Sequence, residues 1–205
     1  MLDTGAVDLL GMSMASGVAS GLNAYATVFI LGMIGRFTGV EGIPVGFERL
    51  DVLIVMGLLA AIEFIADKIA VVDSFWDVPS TVIRPIAGAV IGALIAGAQG
   101  DLLTITLAAV GGVSALITHL SRQGIRLAVN TSPEPVSNVG ASVAGDVGVI
   151  SLTSLAAFAP IPAAILAIVI MVLLIWLAWT MYSKIRAGIN WLKRKLGREE
   201  TPEAI

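Results

Sequence analysis

From Leu9 to Gly35 the chain runs 27 residues without a charged side chain. A helix needs only ~20 apolar residues to cross the ~30 Å hydrocarbon core of a bilayer. A second uncharged run, Ile161 to Tyr182, is also long enough. Hydrocarbon offers the backbone no hydrogen-bond partners, so such runs must close their own bonds as helices. The remaining composition agrees with this. Mean hydropathy is +0.95 and only 13% of residues are charged, against about 25% in a typical soluble domain. The fold class expected is an all-α, polytopic membrane protein.

About six transmembrane helices are expected. The first lies in Leu9–Gly35, the second runs from Asp51 to about Val72, and the third from about Ser80 to Gln99. The fourth runs from Leu102 to about Arg122, the fifth from about Val136 to Phe158, and the sixth from Ile161 to Tyr182. Residues 1–182 form one transmembrane domain and residues 183–205 a basic tail. That tail repeats apolar residues at Ile185, Ile189, Leu192 and Leu196 between cations. It reads as an interfacial amphipathic helix or as a stop-transfer anchor. Six of the twelve Lys and Arg lie in the last 22 residues. Positive residues favour the cytoplasmic side. With an even number of spans, both termini are then cytoplasmic, and only Arg36 and Arg49 fall outside. The localisation expected is the bacterial cytoplasmic (inner) membrane, multi-pass. No Lys or Arg precedes Arg36, so a cleaved signal peptide is not expected.

Several chemistries are excluded. The chain has no cysteine and a single histidine, His119, which removes disulfides, thiolate sites and His-rich zinc sites. No phosphate-binding GxxxxGK loop and no serine elbow occurs. No cofactor is expected, no catalytic residue is assigned, and an enzyme is disfavoured. The one enzymatic reading left is an acid–base pair within the membrane using Glu63 or His119. The charge pattern gives no basic field for nucleic acid. The partners expected are membrane lipids and a homo-oligomer built through small-residue helix faces. Gly17 and Gly21, Gly88 and Gly92, and Ala141 and Gly145 are each four apart and share a face. Ordinary packing within one chain is the favoured explanation of these spacings. The second and third spans, and the fourth and fifth, also read as duplicated hairpins with polar cytoplasmic loops.

Charges inside a bilayer cost ~2.5–3.5 kcal/mol each by insertion scales, so each one present calls for a reason. Glu63 lies 12 residues past Asp51, roughly 18 Å deep at 1.5 Å per residue. Asp146, ten residues past Val136, and Asn23 fall near the same depth. Each is either a register-fixing hydrogen-bond partner or part of one convergent site. Glu63 and Asp67 share a helix face, as do His119, Arg122 and Arg126. The candidate substrate- or ion-binding residues are Asn23, Glu63, Asp67, His119 and Asp146. The candidates for inner-mouth gating or headgroup binding are Asp73, Asp77, Arg84, Arg122, Arg126 and Asn138. Whether a metal binds is left open. Two loops read as helix starts: Ser74 as N-cap with Asp77 as a capping-box acid, and Ser132 as N-cap with Pro133 at the first helical position and Glu134 in the first turn.

Three stretches, GLNAYATVFILGMIGRF, EFIADKIAVVDSFWDVPSTVIRPIAGA and HLSRQGIRLAVNTSPEPVSNVGASVAGD, carry a resemblance. Together they resemble a widespread bacterial family of integral membrane proteins described as a domain of unknown function. The likeness covers about Gly17 to Leu177. The pattern falls on Asn23, Glu63, Asp67, Lys68, Asp73, Trp76, Asp77, Arg84 and Pro85. It continues on His119, Arg126, Asn130, Ser132, Pro133, Glu134, Pro135, Ser137, Asn138 and Asp146. Where the family often has two adjacent acids, this chain has Gly145 and Asp146. The resemblance implies that the inner loops belong to the working part, and it implies no activity.

The function expected is a small membrane transporter or channel for an ion or small polar solute. The alternatives are a lipid-binding or lipid-handling protein, with Arg84, Arg122 and Arg126 holding a phosphate headgroup, and a structural or assembly partner in a membrane complex.

Overall fold

The computed structural model describes residues 4–97, 100–130 and 135–196. Among them are seven helices: α1 (Thr4–Leu22), α2 (Ala24–Thr38), α3 (Leu50–Ala66), α4 (Ala70–Ala96), α5 (Asp101–Asn130), α6 (Pro135–Phe158) and α7 (Pro160–Leu196). A 3-10 turn, Val45–Glu48, precedes α3. Four helices are long and apolar enough to cross a membrane, over Phe75–Ala96, Asp101–Arg126, Val139–Phe158 and Pro160–Trp191. Their flanks expose Ile, Leu, Val and Trp side chains, such as Val172, Trp176 and Trp179 on α7. Large exposed apolar faces of this kind belong against lipid.

The first expected span is instead two helices. Asn23 adopts an extended backbone, φ −154° and ψ 105°, and its side chain caps α2 by accepting from the Ala26 amide at 2.8 Å. The chain then turns back. A β-carbon on Gly42, past the end of α2, would touch Leu9 and Met12, and Ile43 joins Met12 in the core. The contacts of α1 set the course of the other helices. Ser13 meets Leu107 on α5, Ser20 meets Arg84 on α4, and Gly11 meets Pro160 at the start of α7. Successive helices therefore alternate in direction. Thr4 lies at one end of the bundle with the 39–49 loop, and Leu196 lies at the other. We call these the loop end and the tail end. The odd helix count puts the two described ends apart, where an even count would have brought them together.

The third expected span also starts early. Helix α4 begins at Ala70 with Ile69 as its N-cap, so Ser74 lies inside the helix and does not start it. The cause is a tight reversal at 67–69, where the Asp67, Lys68 and Ile69 amides bond back to Glu63, Ile65 and Ala66 carbonyls. The chain is turned before the Ser74 capping signal is reached. The 132–134 helix start lies outside the described residues. Helix α7 runs unbroken past Tyr182 to Leu196.

α1 is the central post, buried by α4, α5, α6 and α7. Small residues let the backbones close. A β-carbon on Gly17 would lie 2.5 Å from the Gly111 carbonyl oxygen, and one on Gly88 2.6 Å from the same atom. One on Gly92 would strike the Leu107 carbonyl. These faces are used within the chain, whereas Gly140 and Gly145 on α6 meet nothing within 4 Å. Gly111→Ala is accordingly expected to cost ~1–3 kcal/mol by overpacking, read as a lowered melting temperature in detergent. Gly145→Ala is expected to hold or raise that temperature, because Ala favours helix and meets no neighbour.

Candidate functional site

The charged residues gather where α1 gives way to α2. Counting from Asp51 to Glu63, from Ala96 to Arg84 and from Phe158 to Asp146 gives 12 residues each time. All three lie roughly 18 Å from the loop end at 1.5 Å per residue. Arg84 is 1% exposed and is held by three other helices. Its Nη2 donates to Glu63 Oε1 on α3. Its Nη1 donates to the Gly21 carbonyl at the end of α1 (3.2 Å) and to His119 Nδ1 on α5 (3.0 Å). Its own carbonyl accepts from Ser20 Oγ at 3.2 Å.

That geometry fixes the histidine. A guanidinium has only donors, so Nδ1 of His119 accepts and the ring proton sits on Nε2. Nε2 then donates to Thr81 Oγ1 at 3.2 Å, and Thr81 donates to the Asp77 carbonyl at 2.9 Å. Gln123 adds a second donor to Thr81 at 3.1 Å. His119 is thus neutral, with both ring nitrogens engaged, and it orients Arg84. Neither Thr81 nor Gln123 stands out in the sequence. Their one signal is spacing, Thr81 four residues past Asp77 and Gln123 four past His119.

One turn toward the tail end, Asp67 closes α3 and pairs with Arg122 Nη2. Arg122 Nη1 donates to the Leu22 carbonyl at 2.5 Å. Arg126 approaches Asp67 Oδ1 at 3.6 Å and Asp77 Oδ2 at 3.9 Å. Lys68 bridges to Asp146 on α6 at 3.1 Å and lies 3.1 Å from the centroid of the Phe64 ring. Among the described residues, four carboxylates (Glu63, Asp67, Asp77 and Asp146) thus meet four cations (Lys68, Arg84, Arg122 and Arg126).

The helix break belongs to this cluster. The last carbonyls of a helix lack intrahelical partners and carry the negative end of its dipole. Here Gly21 and Leu22 receive Arg84 and Arg122, one guanidinium each. Asn23 is buried but spends its side chain on its own helix, so Asn23, Glu63 and Asp146 share no hydrogen bond among the described residues. The side chains of Asp73 and Asn138 lie outside the described residues. Glu63 Oε2, Arg84 Nε and Asp67 Oδ1 are buried without a hydrogen-bond partner. So are the hydroxyls of Ser16 and Thr118 on α1 and α5, and of Ser142 and Thr153 on α6. Among the described residues no three of His, Cys, Asp or Glu gather as a metal ion requires.

Breaking a buried pair strands a charge, which costs ~3–5 kcal/mol, while replacing both partners by apolar residues is often neutral. Arg84→Met is therefore expected to lower thermal stability strongly. The double variant Glu63→Met/Arg84→Met is expected to recover the part of the loss that comes from the stranded Glu63 charge, while the Gly21 carbonyl and His119 Nδ1 stay without their donor, measured as a double-mutant cycle on melting in detergent.

No curated protein and no solved structure matches the chain. A family pattern covers residues 10–180, taking in α2 to α6, most of α1, the first part of α7 and the whole charge cluster. The chain belongs to that family, described as a Domain of unknown function (DUF4126).

Proposed function

We propose that the protein is a small membrane transporter or channel for an ion or small polar solute, placed in the bacterial cytoplasmic membrane. One observation carries the reading: the α1–α2 break and the buried ion pairs are the same structure. Arg84 and Arg122 each hold a carboxylate with one nitrogen and a freed α1 carbonyl with another. Discontinuous helices with ionic partners near the bilayer midplane are the usual build of a transport site. A cation or proton reaching Glu63 would weaken its hold on Arg84. Arg84 would then rest on Gly21 and His119 alone, and the α1–α2 hairpin would be free to shift against α4 and α5. Asp67, Asp77, Arg122 and Arg126 sit on the tail side of that pair, where they serve as the gate. The unpartnered buried hydroxyls of α1, α5 and α6 suit a path for a hydrogen-bonding solute.

The headgroup-binding alternative draws less support. Arg84 and Arg122 are at most 7% exposed, and carboxylates and backbone carbonyls already occupy their terminal nitrogens.

Transport is tested in proteoliposomes carrying an interior pH-sensitive or cation-sensitive dye. Glu63→Gln is expected to reduce proton or alkali-cation flux at least about tenfold, the scale of 1.4 kcal/mol in a barrier. The exposed Asp51→Asn variant is expected to leave flux unchanged. Equal flux in wild type and Glu63→Gln sinks the proposal.

We place the tail end, with Lys184, Arg186 and the helix end beyond them, in the cytoplasm. The loop end, with Arg36 and Arg49, then faces outward. The native chain has no cysteine, so single cysteines report orientation cleanly. Glu41→Cys is expected to react with a membrane-impermeant maleimide in intact cells, and Lys184→Cys only after permeabilisation. The reverse pattern overturns the orientation.

A further inference from the structure

The charge cluster has titratable neighbours on one side only. Glu63 and Arg84 lie roughly 18 Å from the loop end at the helical rise. Across that depth the stretches 9–22, 24–35, 52–62, 85–96, 102–118, 147–158 and 160–176 hold a single titratable side chain, Tyr25. On this loop side α1, α4 and α5 also close backbone to backbone around Gly17, Gly88 and Gly111. A groove opens there between α3 and α4, and Tyr25 is the one side chain in its lining with a polar group. Toward the tail end the carboxylates continue. Asp67 follows Glu63 by one turn, and Asp77 lies seven residues, roughly 10 Å, tailward of Arg84. Their exposure is graded. The Asp77 side chain is 17% exposed, that of Asp67 2% and that of Glu63 1%. Arg126 stands between the outer two, 3.9 Å from Asp77 and 3.6 Å from Asp67.

Two buried oxygens on this line are unsatisfied. Glu63 Oε2 and Asp67 Oδ1 have no hydrogen-bond partner among the described residues. Glu63 is faced by Arg84 from α4, by Asp67 from its own helix, by Arg122 and Arg126 from α5 and by Tyr25 from α2. His119 reaches it through Arg84. Arg84 occupies Oε1 and leaves Oε2 open. A proton needs one free lone pair, which Oε2 offers. A hard metal ion needs about six or more oxygens. The Gly21 and Leu22 carbonyls already accept from the two arginines. Among the described residues no three of His, Cys, Asp or Glu gather to replace them. A metal cation at Glu63 would also stand beside the Arg84 guanidinium.

We propose that the coupling ion of this site is the proton, delivered to Glu63 from the tail end through Asp67. This gives the transport reading above its ion and its side of entry, and it rests on that reading. Asp67 Oδ1 takes a proton from tail-end water, passes it to Glu63 Oε2 and returns to a carboxylate. Side chains four apart on a helix have β-carbons about 5–6 Å apart, a gap that a single water closes. The new O–H bond leaves Glu63 neutral. Its Oε1 then accepts from Arg84 as a neutral group, a bond roughly half as strong, and the cluster gains one positive charge.

Infrared difference spectra of the full chain in liposomes read this proton whether or not anything crosses the membrane. Lowering the bath pH is expected to raise the C=O band of a protonated buried carboxyl, and Glu63→Gln is expected to lack that band. At fixed pH, exchanging sodium, potassium and a bulky organic cation is expected to leave the band unchanged. For sidedness, vesicles are sorted by orientation through a Lys184→Cys tag and the band is followed after an external pH jump. It is expected to rise at least about tenfold faster with the tail end outward than with the loop end outward, a barrier difference of about 1.4 kcal/mol. Asp67→Asn is expected to slow the tail-side rise by a similar factor. The sidedness comparison keeps Glu63 and Asp67, so it decides even where either variant fails to fold. Four outcomes overturn the inference: no titrating band that Glu63→Gln removes, a band set by sodium or potassium, equal rates from the two sides, or an unslowed rise in folded Asp67→Asn. A titrating, one-sided band without proton flux leaves the proton site standing and overturns the transport reading alone.

Discussion

Arg84 is the residue that ties the bundle together. It sits about 18 Å from the loop end at the helical rise, where an unpaired guanidinium would be costly. It is tolerated because three neighbouring helices each give it an acceptor: the Glu63 carboxylate, the Gly21 carbonyl and the His119 ring. None of those acceptors would sit at this depth without a donor. Glu63 would be a stranded charge, and the Gly21 carbonyl an orphan at the end of α1. The cluster therefore has little freedom to be partly formed, as expected of a buried network whose half-satisfied states are worse than an apolar core.

The close packing of α1 is what allows this. Arg84 and Arg122 can reach the carbonyls of Gly21 and Leu22 because α1 lies against α4 and α5 with glycine-to-backbone contacts. Gly17 sits over Gly111, and Gly21 sits over Ala115. Larger residues there would separate the helices by a side-chain thickness and leave the guanidinium groups short. The small-residue stripes and the charge pairs are thus one design. The first sets the interhelical distance and the second uses it. This also explains why the Gly17 and Gly88 faces are spent inside the chain, while Gly140 and Gly145 of α6 stay open.

Much of this was legible in the sequence, and the failures have physical causes. The membrane character followed from uncharged runs alone. The depth of Glu63 followed from counting residues after Asp51, and the α5 stripe of His119, Arg122 and Arg126 from spacing. The break at Asn23 was not legible, although Asn is a good N-cap. The residues on both sides are apolar enough to continue one helix, and the groups that reward stopping lie 61 and 99 residues further along, at Arg84 and Arg122. The early start of α4 is similar. The Ser74 signal is local and sound, but the turn at 67–69 is fixed first, with Asp67 held by Arg122. In both places a long-range arginine contact, a hydrogen bond to a backbone carbonyl at the break and an ion pair at the turn, overrides a local preference. Sequence spacing gives the faces of helices; it does not give which face meets which.

The pairing also reassigns roles. From the sequence, Glu63 and Asp67 share one helix face and read together as substrate- or ion-binding residues. In the structure each has its own arginine, and each arginine also holds one carbonyl at the end of α1. Those carbonyls make the pairs sensitive to the position of α1. Each guanidinium is divided between a charged partner and a neutral one, and the charged bond is the stronger by roughly twofold. Neutralising a carboxylate therefore shifts its arginine toward the α1 carbonyl, while pulling α1 away shifts it toward the carboxylate. The same two residues that make the break affordable in hydrocarbon also make its position depend on the charge of Glu63 and Asp67, and such coupling is the physical requirement for an ion-driven movement.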